Sequence, residues 1–182
     1  MEQALVDLLY EARMLKEIPR SGYQFLGVGR ESVAEHTFMV TVIANVMTKI
    51  QPQADALKLL RMCLLHDLPE ARTGDLNAVH KKYVSADESK AIAELTKPLP
   101  FGGEICELLA EFRSGHTLEA QLAYDADQLS FLIDLKSLQD IGHASPAKWI
   151  PHVQQRMVTE TGRKLARDIL ETEWDHWWLK DF

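Results

Sequence analysis

Apolar residues recur along this 182-residue chain at three- and four-residue intervals, and no run alternates apolar with polar positions as a half-buried strand would. The pattern predicts an all-α fold, a single-domain helical bundle over residues 1–182. Leu5, Leu8, Leu9, Ala12 and Leu15 form a first stripe that stops at Ile18-Pro19, ahead of a loop at Arg20-Ser21-Gly22-Tyr23. Ser32-Val33-Ala34-Glu35 has capping-box spacing, in which the two polar side chains satisfy each other's free backbone amides. A helix therefore starts there, with His36 in its first turns. A third helix is expected over 54–68. Pro69 disfavours its continuation, although a kink would let helical geometry resume.

Thr73-Gly74-Asp75 reads as a turn, with Gly74 free to take a positive φ. Helices over 87–96 and 103–113 follow, closed by Pro98 and Pro100 and by Ser114-Gly115. Thr117 or His116 then precedes a long helix to residue 140. Its Leu118, Leu122, Ala123, Ala126, Leu129, Phe131, Leu132, Ile133, Leu135 and Leu138 cover most of the circumference, which predicts a central, buried element. Val153, Met157, Thr161, Leu165 and Ile169, spaced by four, predict one last helix over 152–175, packed on the domain or at a dimer seam. Trp174, Trp177, Trp178 and Phe182 lie at its end, where packing within the subunit is the safer expectation.

A formal net charge of −7 argues against the broad basic face that duplex nucleic acid requires. A small phosphorylated ligand stays compatible, because one arginine and one metal ion create a local positive site. No apolar stretch is long enough to span a bilayer, and the first residues lack the basic start and apolar core of a secretory signal. A cytoplasmic location without membrane association is expected. Cys63 and Cys106 form no CxxC pair and read as buried thiols.

The chemistry begins at His66-Asp67, which ends a strongly apolar run. Met62 and Cys63, one helical turn earlier, place both side chains on a buried face. A buried carboxylate needs a paired cation or a metal; the structural alternative is a simple His-Asp hydrogen bond. His36 lies among Val33, Met39, Val40 and Ile43, and Asp127 among Ala123, Tyr124, Ser130 and Phe131. Taken singly, these residues are a satisfied core histidine and a hydrogen-bonded aspartate. Taken together, His36, His66, Asp67 and Asp127 make a two-histidine, two-carboxylate set that one divalent ion would explain. Such donors suit Mn, Fe, Co, Ni or Zn; imidazole disfavours calcium, and the lack of thiolates disfavours a closed structural zinc site. Open positions on a six-coordinate ion would admit water and substrate for metal-assisted hydrolysis.

The order His36, His66-Asp67, Asp127 resembles the H…HD…D signature of the HD-domain metal-dependent phosphohydrolases. Ile18-Pro19-Arg20, Glu31-Ser32-Val33-Ala34-Glu35-His36 and His66-Asp67-Leu68-Pro69-Glu70-Ala71-Arg72-Thr73-Gly74-Asp75 are similar, more narrowly, to the bacterial 5'-deoxynucleotidase branch and its eukaryotic relatives. The likeness covers residues 18–138. It implies a helical bundle of the HD-domain type with a metal in its core, a homodimer, and hydrolysis of deoxynucleoside 5'-monophosphates. Carried over by position, His36, His66, Asp67 and Asp127 would bind metal, Glu70 and Asp75 would serve catalysis, and Arg20, Asp75 and Lys81 would contact the nucleotide. One departure is Ser21, which stands where the bacterial branch has a tryptophan that bears on sugar discrimination.

Physical chemistry fits these roles. Arg20 can clamp phosphate at two points, which lysine cannot do, and Glu70 lies within reach of the same rim as a general acid or base. Whether Glu70 activates water or protonates the leaving oxygen stays open at this level. The competing functions are an HD phosphohydrolase or phosphodiesterase for another nucleotide and a non-catalytic metal-containing nucleotide-binding protein.

Overall fold

Short polar side chains open the main helices of the computed structural model, which describes residues 2–181. After α1 (Glu2–Met14) and α2 (Tyr23–Leu26), α3 (Val33–Ile50) starts at the expected capping box: the Glu35 amide donates to Ser32 Oγ at 3.2 Å, and the Ser32 amide to Glu35 Oε2 at 2.7 Å. Asp55 caps α4 (Ala56–Leu65), and α5 (Glu70–Thr73) and a 3-10 turn η1 (His80–Lys82) follow. Asp87 caps α6 (Glu88–Thr96), which leads to α7 (Gly102–Ser114), and Thr117 caps α8 (Leu118–Asp140). The chain ends with α9 (Pro146–Gln154), α10 (Glu160–Glu171) and α11 (His176–Leu179). No strand occurs among the described residues, only an isolated antiparallel bridge between Pro19 and Ser32.

Helix α8 runs through the middle and packs against α3, α4, α7, α9 and α10. Leu122, Ala123, Ala126, Leu129, Leu132 and Leu135 are fully buried along it, and Leu118, Phe131, Ile133 and Leu138 partly so, as the all-round apolar pattern requires. Val40, Ala44 and Met47 of α3 and Leu59, Met62 and Cys63 of α4 complete this core. A second apolar cluster joins Leu15, Val33, Leu68, Ile92, Leu95, Leu99, Ile105 and Leu109.

Several local expectations are corrected. The last helix is not continuous over 152–175. The Asp125 carboxylate, wholly buried in α8, accepts hydrogen bonds from the Val158 and Thr159 amides and the Thr159 hydroxyl at 2.6 to 2.8 Å. Thr159 in turn caps α10 by accepting from the Gly162 amide at 2.9 Å. These bonds leave residues 155–159 outside the helices. In α1 the stripe includes only part of what its period suggests: Leu5, Leu8 and Ala12 pack on the second cluster, Leu15 is buried just beyond the helix, and Leu9 is 69% exposed. Tyr23, expected in a loop, begins α2. The chain leaves α4 at Leu65, turns through 66–69, and resumes helical geometry as α5, with Pro69 just ahead of it. Gly74 has the positive φ expected of it, +70°. Cys63 is buried and Cys106 half-buried, and both are free thiols. Trp174, Trp177 and Trp178 remain 43%, 73% and 40% exposed, so packing within the subunit covers them incompletely; Phe182 lies outside the described residues.

Candidate metal centre

Three helices bring the sequence-predicted ligands together. His36 comes from the first turns of α3, His66 and Asp67 from the turn that leaves α4, and Asp127 from the middle of α8. Nitrogen and oxygen donors of His36, His66 and Asp67 lie within 4.8 Å of one another. Asp127 lies outside that mutual spacing but reaches the cluster through His36, with Oδ1 2.9 Å from His36 Nε2. Asp67 Oδ2 is 3.7 Å from His36 Nε2 and 3.2 Å from His66 Nε2. The imidazoles are buried, whereas the Asp67 and Asp127 side chains keep 14% and 20% of their exposure, so the carboxylates form the open side.

The cluster fails as a self-contained hydrogen-bond network. Among the described residues, the buried side-chain nitrogens and oxygens without a hydrogen-bond partner are Nδ1 and Nε2 of His36, Nε2 of His66, Oδ2 of Asp67 and Oε2 of Glu70, all in this neighbourhood. Orphaned buried polar atoms are rare and costly in native proteins, so their convergence points to a missing common partner. A divalent cation fits: nitrogen and oxygen donors about 2.1 Å from an ion sit about 3 Å apart when they subtend a right angle, and farther apart at wider angles. His66 is already prepared for such a role, since its Nδ1 meets the Cys63 carbonyl at 2.8 Å and Nε2 is left facing Asp67.

Arg20 overlooks the carboxylates. Its guanidinium lies 3.6 Å from Asp67 Oδ2, 3.8 Å from Asp127 Oδ1 and 4.0 Å from Glu31 Oε2. Burial works against its charge, but Asp127, Asp67 and Asp75 more than offset that and hold it firmly protonated. The Arg20 amide donates to the Glu31 carbonyl at 2.8 Å, so the bridge between the two chain segments fixes this arginine beside α3. Burial pushes the Glu70 carboxyl up to about 9, with Asp67 and Asp75 adding to the effect. Burial would lower His66, but Asp67 outweighs it and raises the imidazole to about 9. Asp67 and Asp127 are held below the usual carboxylate range: burial opposes this, and the neighbouring histidines win.

Asp75 reaches the site through the backbone, its Oδ2 accepting from the Ser21 amide at 2.6 Å. Ser21 itself is buried, and its hydroxyl pairs with Asn77 Nδ2 at 3.2 Å. Lys81, in η1, is exposed, and no contact joins it to the ligand cluster among the described residues. Sequence reasoning left Glu31, Tyr23 and Asp134 without a role. Glu31 Oε2 lies 3.7 Å from His36 Nδ1, and the Tyr23 hydroxyl bonds to Asp134 and approaches Glu31 at 3.5 Å. The signals for Glu31 were its place directly before the Ser32 cap and its inclusion in the Glu31–His36 segment that carries the family resemblance.

The family model described as HD domain matches residues 12–169. The chain belongs to the HD-domain family. Among curated relatives, the human protein named 5'-deoxynucleotidase HDDC2 is 27% identical over 147 residues, covering 78% of this chain and 71% of that protein. The Dictyostelium discoideum protein of the same name is 30% identical over 132 residues, covering 65% of this chain and 69% of that one. A solved structure from Pyrococcus horikoshii superposes with a TM-score of 0.75 at 27% identity, over 93% of this chain and 98% of that one. No helix among the described residues is long and apolar enough to cross a membrane.

Proposed function

We propose that this HD-domain protein is a phosphoric monoester hydrolase that removes the 5'-phosphate from deoxynucleoside 5'-monophosphates with the help of one divalent first-row transition ion. The observation that carries the reading is the convergence of orphaned donors from His36, His66 and Asp67 with Asp127 beside a charged, largely buried guanidinium fork on Arg20. Relatives named 5'-deoxynucleotidase support the substrate class.

His36, His66, Asp67 and Asp127 would hold the ion, whose two neutral imidazoles and two carboxylates suit Mn, Fe, Co, Ni or Zn. When bound, such an ion polarises a phosphoryl oxygen and acidifies water. Arg20 binds phosphate oxygens through its planar fork and fixes the scissile group above Asp67 and Asp127. Burial, Asp67 and Asp75 raise the Glu70 carboxyl in the metal-free protein, and its place at the rim suits proton donation to the leaving 5'-oxygen. Asp75 holds the Ser21 amide, and through it the Arg20 loop, and offers its second oxygen to the nucleotide. Lys81 attracts the phosphate from the exposed turn beyond. Because Ser21 is buried against Asn77, selection of the sugar falls to other groups. A cytoplasmic homodimer completes the reading, and the half-exposed tryptophans near the C-terminus support contact with a second copy.

A phosphate-release screen across deoxy- and ribonucleoside monophosphates, diphosphates, triphosphates and cyclic nucleotides, with Mn, Co and Zn supplied in turn, tests the proposal. Fastest release from the deoxynucleoside monophosphates is expected. Turnover confined to triphosphates or cyclic nucleotides would replace the substrate, and metal uptake without any turnover would favour a binding protein.

A further inference from the structure

The two histidines enter the cluster alike but are held differently. His66 has the Cys63 carbonyl for its Nδ1. The Nδ1 of His36 is buried without a hydrogen bond, and the acceptor facing it is Oε2 of Glu31 at 3.7 Å. Glu31 is the residue just before the Ser32 cap, and its backbone carbonyl takes the Arg20 amide. The same Oε2 lies 4.0 Å from Arg20 Nε and 3.5 Å from the Tyr23 hydroxyl. Tyr23 has a single proton and gives it to Asp134, so the Glu31 lone pairs are left to Arg20 and His36.

We infer that Glu31 is a positioning residue of the metal centre: its Oε2 accepts the Nδ1 proton of His36, turns the Nε2 lone pair toward the ion, and steadies Arg20 from the same oxygen. The inference rests on the metal reading given above. A neutral imidazole carries one N–H, and an acceptor opposite Nδ1 places it there. Nε2, which faces Asp127 Oδ1 at 2.9 Å and Asp67 Oδ2 at 3.7 Å, is then a ligand. The Nδ1 to Oε2 separation exceeds a hydrogen bond by about 0.8 Å, so the role requires the Glu31 carboxyl group to close that gap. Burying this side chain to 9% exposure beside other acids costs free energy that packing alone does not recover, which a positioning role explains.

Titration of metal-stripped protein with Co2+, followed by its visible absorption and paired with thermal melting, tests the assignment. Outer partners of ligating histidines typically contribute about 10- to 100-fold to metal affinity, so Glu31→Ala should bind Co2+ weaker by that factor. Glu31→Gln keeps an acceptor oxygen and should recover most of the loss. A Glu31→Ala protein that melts normally and binds Co2+ as tightly as wild type overturns the inference alone. Wild-type protein that takes up no Co2+ overturns the metal reading and this inference with it. If Glu31→Ala does not fold, the imidazole proton of His36 in the Zn2+-loaded wild type decides: a strongly deshielded, slowly exchanging Nδ1 proton supports the role, and an Nδ1 proton that exchanges freely with solvent overturns it.

Discussion

The carboxylate of Asp75 accepts the Ser21 amide at 2.6 Å, which ties the turn after α5 to the residue following Arg20. Asp75 therefore acts on the phosphate clamp through the backbone, whatever else it contacts. Hydrogen bonds to charged acceptors contribute about 1.5–3 kcal/mol, and a loosened loop would spend that on re-ordering Arg20. Asp75→Ala should lower kcat/KM by about 10- to 100-fold, since 1.4 kcal/mol is tenfold, with metal content unchanged. Steady-state kinetics beside metal analysis checks this, and loss of the metal in step with activity would place Asp75 elsewhere.

In the metal-free protein Glu70 is held protonated by burial, Asp67 and Asp75. If its proton goes to the leaving oxygen, the requirement should vanish for a leaving group that needs none. Glu70→Ala should bind metal and lose about 100- to 10,000-fold on a deoxynucleoside monophosphate, but far less on p-nitrophenyl phosphate. Equal losses on both substrates would assign Glu70 to activating water.

Stability of the metal-free protein should fall with rising pH. Glu70 is raised from 4.5 to about 9 and Glu31 from 4.5 to about 8, each chiefly by burial, with Asp67 adding at Glu70 and Asp134 at Glu31. His66 is raised from 6.5 to about 9, Asp67 outweighing burial. Every one of these folded values exceeds the unfolded one, so across this range the native state binds more protons and loses stability as they leave. Asp67 and Asp127 are depressed and destabilise only when pH drops through the acidic range below 3.8. In EDTA, Tm should be highest at about pH 5 and decline toward about pH 9. Metal should reverse the trend, because its ligands must be deprotonated. Thermal melts across pH with and without Co2+ measure both slopes.

The break between α9 and α10 should be sensitive to a single methyl group. A Cβ on Gly162 would stand 2.2 Å from the Asp125 carboxylate that organises the break. Alanine ordinarily favours a helix over glycine by about 1 kcal/mol, yet here Gly162→Ala should destabilise by about 1–3 kcal/mol through overpacking. Urea denaturation gives the sign directly.

This break also shows what the chain's pattern can and cannot reveal. Val153, Met157, Thr161, Leu165 and Ile169 keep a four-residue spacing across it, because both helices lay an apolar side on the same core. Asp125 enforces the break from α8, a tertiary contact that no local period records. The buried circuit of α8 and the Ser32 capping box were legible, since each depends on residues close in sequence. His36, His66, Asp67 and Asp127 were legible as polar residues on apolar faces. Glu31 was not, because its meaning comes from the bridge that sets it against Arg20 and from a ring on the following helix.

Arg20 offers the sharpest test of substrate handling. Its two terminal nitrogens address different carboxylates, Asp67 at 3.6 Å and Asp127 at 3.8 Å, while Nε faces Glu31 at 4.0 Å. A lysine would keep the charge but replace a planar fork anchored on three sides with one mobile ammonium. Losing one charge-assisted contact of about 1.5–3 kcal/mol predicts a drop in kcat/KM of about 10- to 100-fold for Arg20→Lys on deoxynucleoside monophosphates. The chain has no Walker-type loop to cradle a polyphosphate, so triphosphates should be slower than monophosphates in wild type. Initial rates for matched monophosphate and triphosphate pairs in both proteins settle the point: an unimpaired lysine variant removes the clamp, and faster triphosphate hydrolysis in wild type removes the substrate assignment.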